Sequence, residues 1–213
     1  MRNPKTIEMW EKAGYSDNFV FRMTMDKEEL CKDLLECLLE IKIDSLTVRE
    51  YEKSIETEKR SKGIRLDLYI KDSNGTTYDI EIQTGNHHDL GKRARYYRSI
   101  MDGELLQKGE SYSKLGKTII IFICTFDPYT EGMSRYIFKN TCVNSKRKGL
   151  EMGDEATCIF FNSAGDRDGL TEAQQHFLDY VAGNGAHDEF TRKLEERVQE
   201  IKMDREKRVE YMT

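Results

Sequence analysis

The sequence predicts an α/β domain on three observations: two alternating apolar–polar runs joined by a turn signal, one run apolar on both faces, and helically spaced segments around them. At 213 residues the chain is long enough to bury one real core. Charged residues make up 34% and apolar ones 38%, with only 2 Pro, a globular composition with a heavily solvated surface. No window approaches about 18 consecutive apolar residues, and Met1 to Trp10 lacks the apolar stretch of a signal peptide. The expectation is a soluble, cytoplasmic protein with no membrane partner. A net charge of −5 gives no general pull toward nucleic acid, so such binding would need a local basic patch or a metal bridging to phosphate. Cys31, Cys37, Cys124, Cys142 and Cys158 form no C-x-x-C pair and read as reduced core residues.

In chain order, Asp26 to Lys42 reads as an amphipathic helix, opened by Asp26 with Glu29 three residues on and carrying Leu30, Leu34, Leu38 and Ile41 on one stripe. Leu46 to Ile55 reads as a strand, and a charged run from Glu56 to Lys62 breaks the pattern. Ile64 to Lys71 and Thr76 to Thr84 alternate around the turn signal Asp72-Ser73-Asn74-Gly75. Leu90 to Lys108 returns to helical spacing and ends at Gly109. Thr118 to Thr125, apolar on both faces, reads as a central strand stopped by Asp127-Pro128. Arg135 to Val143 and Thr157 to Asn162 read as shorter strands, then Thr171 to Ala182 and Asp188 to Tyr211 as helices separated by Gly183-Asn184-Gly185. The last helix is mostly Glu, Lys and Arg, the composition of a solvated face or a partner-binding arm. The chain divides into a core over 1–165 and a helical extension over 166–213.

The central hairpin carries the chemistry. Strand alternation puts Arg65, Asp67 and Tyr69 on one side of the first strand and Leu66, Leu68 and Ile70 on the other. On the second strand Asp79, Glu81 and Gln83 lie opposite Tyr78, Ile80 and Ile82. A two-residue Asn74-Gly75 turn would set Leu68 against Glu81 and bury a carboxylate on the apolar face. A three-residue loop with Gly75 left-handed instead pairs Leu66 with Ile82, Leu68 with Ile80, Asp67 with Glu81 and Arg65 with Gln83. Opposed carboxylates repel unless a proton or cation lies between them. Asp67 and Glu81, with the Ile82 carbonyl and water, suit Mg²⁺, which commonly takes one or two carboxylates and substrate phosphate oxygens; Mn²⁺ would substitute. On spacing alone the same face also describes a solvated hairpin surface.

The strings Gly63-Ile-Arg-Leu-Asp67-Leu-Tyr and Tyr78-Asp-Ile-Glu81-Ile-Gln83-Thr resemble the metal motif of the PD-(D/E)XK nuclease superfamily. Gly91-Lys-Arg-Ala-Arg95-Tyr-Tyr97, Met101-Asp102 and Ile121-Phe-Ile-Cys-Thr-Phe-Asp-Pro128 resemble one branch of it, the recombination-promoting nuclease and transposase family. The resemblance runs from about Phe19 to Tyr211, and because members of that family often continue further, the chain reads as a short member or a piece of a longer one. It implies a restriction-endonuclease-like core, a mixed sheet flanked by helices, that cuts DNA by metal-assisted water attack in recombination or mobile-element biology. Asp67 then matches the first metal acid, Glu81 the second, and Gln83 stands where the superfamily usually has Lys. Glutamine there is typical of the branch, which points to altered chemistry more than to decay. An amide hydrogen-bonds water or phosphate but supplies no charge.

Arg65, opposite Gln83, is the candidate to supply that charge, with an ion pair to Asp67 or Glu81 as the plainer reading. In the following helix Lys92 and Arg95 share a face and are the preferred phosphate contacts, while Tyr97 falls on the apolar stripe. His87 and His88 sit in a polar loop, and Glu36 and Glu40 on a charged helix face; none is assigned to the site. Two functions follow, a Mg²⁺-dependent DNA endonuclease or a catalytically weak nuclease fold that binds DNA or protein, and a homo-oligomer stays open.

Overall fold

The computed structural model describes residues 4–55 and 63–213, so the charged run from Glu56 to Lys62 lies outside the described residues. One six-stranded mixed sheet runs in the order β1 (Leu46–Ile55), β2 (Ile64–Asp72), β3 (Thr77–Gln83), β4 (Thr118–Cys124), β6 (Ala156–Asn162), β5 (Arg135–Lys139). The β1–β2–β3 pairs are antiparallel, β3–β4–β6 are parallel, and β5 returns antiparallel to β6. Helices α1 (Pro4–Lys12), α2 (Asn18–Thr24), α3 (Glu28–Leu39), α4 (Leu90–Leu105), α5 (Glu172–Val181), α6 (Glu189–Met203) and α7 (Arg205–Tyr211) complete an α/β fold.

The β2–β3 hairpin takes the three-residue loop that its apolar pattern requires. Leu68 pairs with Ile80 and Ile70 with Tyr78, and the Asp72 N–H donates to the Thr76 carbonyl at 3.0 Å. Gly75 adopts φ +83, which a side chain would resist, while Asp72 Oδ1 accepts the Asn74 and Thr76 N–H groups, both at 2.9 Å. β4 is buried along its whole length because β3 and β6 flank it and helices cover both faces, as its uniformly apolar sequence demands.

On one face, Ile70, Ile80 and Ile121 pack with Phe21 of α2, Leu34 and Leu38 of α3, Phe177 of α5 and Leu194 of α6. On the other, α4, the crossover between parallel strands β3 and β4, lays Leu90 and Ala94 on Phe122 and Phe160, and Met101 on Leu66 and Tyr69. α5 and α6 therefore share the core with the sheet, α6 despite a charged composition that conceals the buried Leu194 and Ile201.

Several boundaries differ from the sequence reading. α3 starts at Glu28 because Asp26 is spent elsewhere: its carboxylate pairs with Arg197 at 2.8 Å and its carbonyl accepts Arg49. α4 ends at Leu105, where Leu106 turns extended, and Gly109 shapes the turn beyond. β5 stops at Lys139 because the chain leaves β6 and pairs with itself, Cys142 N–H to the Leu150 carbonyl at 2.8 Å. The C-terminal helix breaks at Asp204, whose extended backbone ends α6 while its carboxylate caps the Glu206 and Lys207 N–H groups of α7. All five cysteines are free, and Cys142 is exposed rather than a core residue.

Candidate active site

Beyond the Leu68–Ile80 pair, β2 and β3 part. The expected Leu66–Ile82 pairing does not form: Leu66 packs with Met101 under α4, whereas Ile82 joins the opposite core. On β1, opposite Asp67 and between the Tyr51–Leu68 and Lys53–Leu66 pairs, Glu52 adopts a left-handed φ of 47 in mid-strand.

At the splay, side chains take over the ladder. The Asp67 N–H donates to Glu81 Oε1 at 3.0 Å, and the Ile82 N–H donates to Asp67 Oδ2 at 3.4 Å. Each acid thus satisfies a buried backbone donor on the other's strand, which fixes both carboxylates in place. The Gln83 carbonyl accepts Thr125 N–H on the β4 side at 3.0 Å, so by strand alternation the Ile82 carbonyl lies on the β2 side, facing the splay.

Both acids are buried, Glu81 at 1% exposure and Asp67 at 5%. Burial first and then Asp67 beside it push the Glu81 carboxyl up to about 8, and burial also raises Asp67 against the opposing pull of Asn18 and the Ile82 N–H. Asp79, two residues before Glu81 on the same face, is fully buried with its carboxyl against that of Glu81 and no other partner for its oxygens, and burial, Glu81 and Asp67 together drive its carboxyl far above the usual range. Sequence reasoning placed Asp79 on this face but gave it no role.

The cation that meets these acids is Arg93. Its Nη2 sits 3.1 Å from Glu81 Oε2 and 2.9 Å from the Tyr97 hydroxyl, and its Nη1 donates to Gln83 Oε1 at 3.0 Å. Arg65 does not fill that role: it lines the same cavity, but its guanidinium pairs with Glu52 at 3.2 Å and is 61% exposed. The strand separation that carries Gln83 away from Arg65 brings it under α4 instead. A cavity of about 630 Å³ opens over the acids, walled by Asn18 of α2, Arg65 of β2, and Lys92, Arg93, Tyr96 and Tyr97 of α4.

At 3.6 residues per turn the α4 stripe through Lys92, Arg93, Tyr96 and Tyr97 faces the cavity, and Arg95 falls beyond its edge, exposed and off the cavity wall. Lys92 is therefore brought to the site and Arg95 is not. The i, i+4 pair Arg93–Tyr97 was the signal that could have identified Arg93. Tyr97 packs against both α4-side clusters, as its place on the apolar stripe suggested, yet its hydroxyl holds Arg93. His87 and His88 are exposed in the loop before α4. Glu36 bonds Ile43 N–H and Lys42, and Glu40 pairs with Arg135, all away from the cavity.

Sequence reasoning also missed α2. Asp17 caps it by accepting Phe19 and Val20 N–H, which sets Asn18 against Asp67 and Arg22 against Glu52, one turn apart. Among the described residues no three His, Cys, Asp or Glu side chains form a metal cluster. The donors on offer are two carboxylates and a backbone carbonyl, a set that suits a hard cation taking the rest of its oxygens from water and phosphate. Two buried acids raised together, one of them already held by a cation, are a site whose charge calls for more positive partners.

No curated protein and no solved structure matches the chain. A family model described as PD-(D/E)XK nuclease family transposase matches residues 17–164, a span that begins at the cap of α2, contains every strand of the sheet and encloses both acids and Arg93. With a mixed sheet, acids on adjacent strands at the hairpin's open end and a match over more than half its length, the chain belongs to the PD-(D/E)XK nuclease family transposases.

Proposed function

We propose that this protein is a metal-dependent DNA endonuclease in which Asp67, Glu81 and the Ile82 carbonyl hold Mg²⁺, or Mn²⁺ in its place, in the service of recombination or mobile elements. The observation that carries the reading is the pair of buried acids tied across the splay at the base of a cavity whose wall brings Arg65, Lys92 and Arg93 together with Asp89. When bound, a divalent cation lowers the pKa of a coordinated water and polarises the phosphate. The chain's own residues do the rest. Asp67 and Glu81 are held by backbone N–H groups, so they meet the cation with little rearrangement. Gln83 carries no charge, but its amide oxygen binds Arg93, so a permanent cation stands one hydrogen bond from the position where the superfamily usually has Lys. Lys92, exposed on the cavity rim, meets the phosphate backbone and positions it.

The test is nicking of supercoiled plasmid. Mg²⁺ should support it, EDTA should abolish it, and Asp67→Asn should lose it while keeping an acceptor for the Ile82 N–H. Nicking that persists in EDTA or in Asp67→Asn sinks the reading. DNA binding without cleavage under any divalent cation would instead favour the second function, a nuclease fold kept as a binding platform, for which the substitution at Gln83 is the supporting observation.

A further inference from the structure

Glu81 has no free oxygen in this structure. Oε1 accepts the Asp67 N–H at 3.0 Å, and Oε2 accepts Arg93 Nη2 at 3.1 Å with the Gln83 amide nitrogen 3.5 Å away. A ligated Mg²⁺ lies about 2.1 Å from its carboxylate oxygen. A cation at Oε2 would therefore share a single oxygen with a guanidinium, two positive groups pressed together in a site largely closed to water. Arg93 and the metal compete for Glu81.

Arg93 also has somewhere to go. Its remaining hydrogen-bond and ring partners, the Gln83 amide oxygen, the Tyr97 hydroxyl and the Tyr97 and Phe122 ring faces, are neutral, Asp89 acts on it only through its field, and it lines the cavity that a phosphate would enter. A guanidinium prefers the fork of a phosphate at least as well as a shared carboxylate oxygen. We propose that Arg93 is an exchange residue: it occupies Glu81 Oε2 in the metal-free protein and moves onto a phosphate oxygen when DNA enters, which frees that oxygen for the cation. This rests on the metal-dependent reading above and adds a coupling to it. Metal and DNA each remove Arg93's competition for the other, so by linkage each tightens the other's binding. The protein then loads its metal mainly on DNA, and in the metal-free, DNA-free site Arg93 holds the Glu81 oxygen that the cation would take.

The experiment measures Mn²⁺ affinity directly, from the free-Mn²⁺ paramagnetic resonance signal, on the full chain without DNA, alongside metal-free DNA binding and plasmid nicking. Arg93→Gln keeps hydrogen-bonding capacity toward Gln83 and Tyr97 but removes the charge. It should bind Mn²⁺ about tenfold more tightly than the wild type, inside the roughly 5- to 150-fold span of ordinary site coupling. The same variant should bind metal-free DNA more weakly and nick on the order of 10²-fold more slowly, as loss of one transition-state donor does. Arg93→Lys, whose single ammonium has no fork to span Glu81 and Gln83, should fall between the two on all three measurements, and it carries the test if Arg93→Gln does not fold. Unchanged or weaker Mn²⁺ binding in these folded variants overturns the proposal and makes Arg93 a brace that positions Glu81 for the metal. Wild-type Mn²⁺ binding that Asp67→Asn leaves intact overturns the metal-dependent reading itself, a different and separately visible failure.

Discussion

Glu81 illustrates how a residue's function and its energetic burden share one origin. Its carboxyl, ordinarily titrating near 4.5, is pushed up to about 8 by burial and by Asp67, so the folded protein keeps a proton that the unfolded chain gives up. A raised folded pKa contributes stability that is fully present below about 4.5 and is lost as pH climbs through 8. The melting temperature of the metal-free protein should therefore fall between pH 5 and 8, whereas Asp67 and Asp79, raised in the same direction, deepen the fall. On the proposed metal site, Mn²⁺ would bind the deprotonated acids and release protons, so its stabilising increment should grow over the same interval. Differential scanning fluorimetry across that range, with and without Mn²⁺, checks both slopes; a flat metal-free curve would contradict the burial of charge at Glu81. At this scale the polar face shared by Asp67 and Glu81 was legible from alternation, whereas their direct pairing was not, because the strands part beyond Leu68–Ile80. Arg93 was not, since its role depends on a splay that no local pattern encodes.

Among the elements, α4 decides what reaches the acids. Its cavity-facing stripe contains Lys92 and excludes Arg95, although the two residues are three apart and look equivalent in sequence. Lys92→Ala should weaken DNA binding and reduce the slope of log affinity against log salt by about 0.9, one phosphate contact's share. Arg95→Ala should leave that slope near the wild type, and an equal loss in both variants would place the DNA across the outer face of the helix instead. The β2–β3 hairpin was readable to the residue down to Leu68–Ile80 because a side-chain period of two and a left-handed glycine leave one acceptable loop. Its open end was not, because there side-chain bonds between Asp67, Glu81 and the opposite strands' N–H groups replace the ladder, and no side-chain period encodes that. α2 is only seven residues long, too short for periodicity to emerge, and its legible mark was the cap at Asp17.

For the whole molecule, the family span ends at residue 164, yet Phe177, Leu178 and Leu194 beyond it are completely buried against the sheet. Truncating a single buried Leu or Phe costs about 2–5 kcal/mol, against a typical total stability of about 5–15 kcal/mol. A fragment ending at residue 165 should accordingly fail to give a cooperative melt, whereas the full chain gives one; a folded 1–165 fragment would show that the core closes without α5 and α6. α7 also packs on α1 and α2. Tyr211 of α7 packs on Trp10 and Phe19, and its hydroxyl donates to Asp17 at 3.0 Å, the residue that caps α2 and so sets Asn18 against Asp67. Tyr211→Ala should lower the melting temperature and loosen the α2 amides in hydrogen exchange before those of β4.

The hydrogen bonds that Asp67 and Glu81 make across the splay give these acids a second reason to be retained. Replacing either by a residue without an acceptor orphans a buried N–H of the opposite strand, at a cost of about 1–3 kcal/mol. Exposed Lys92 carries no such duty, and half-buried Arg93 holds no backbone group. A lineage relieved of selection for cleavage would thus shed its cations early and keep its acids long, surviving as Asp, Glu or their amides because folding still requires them. On the proposed cleavage chemistry, descent in this fold should be tracked by the acids, and the retention of activity by the arginine.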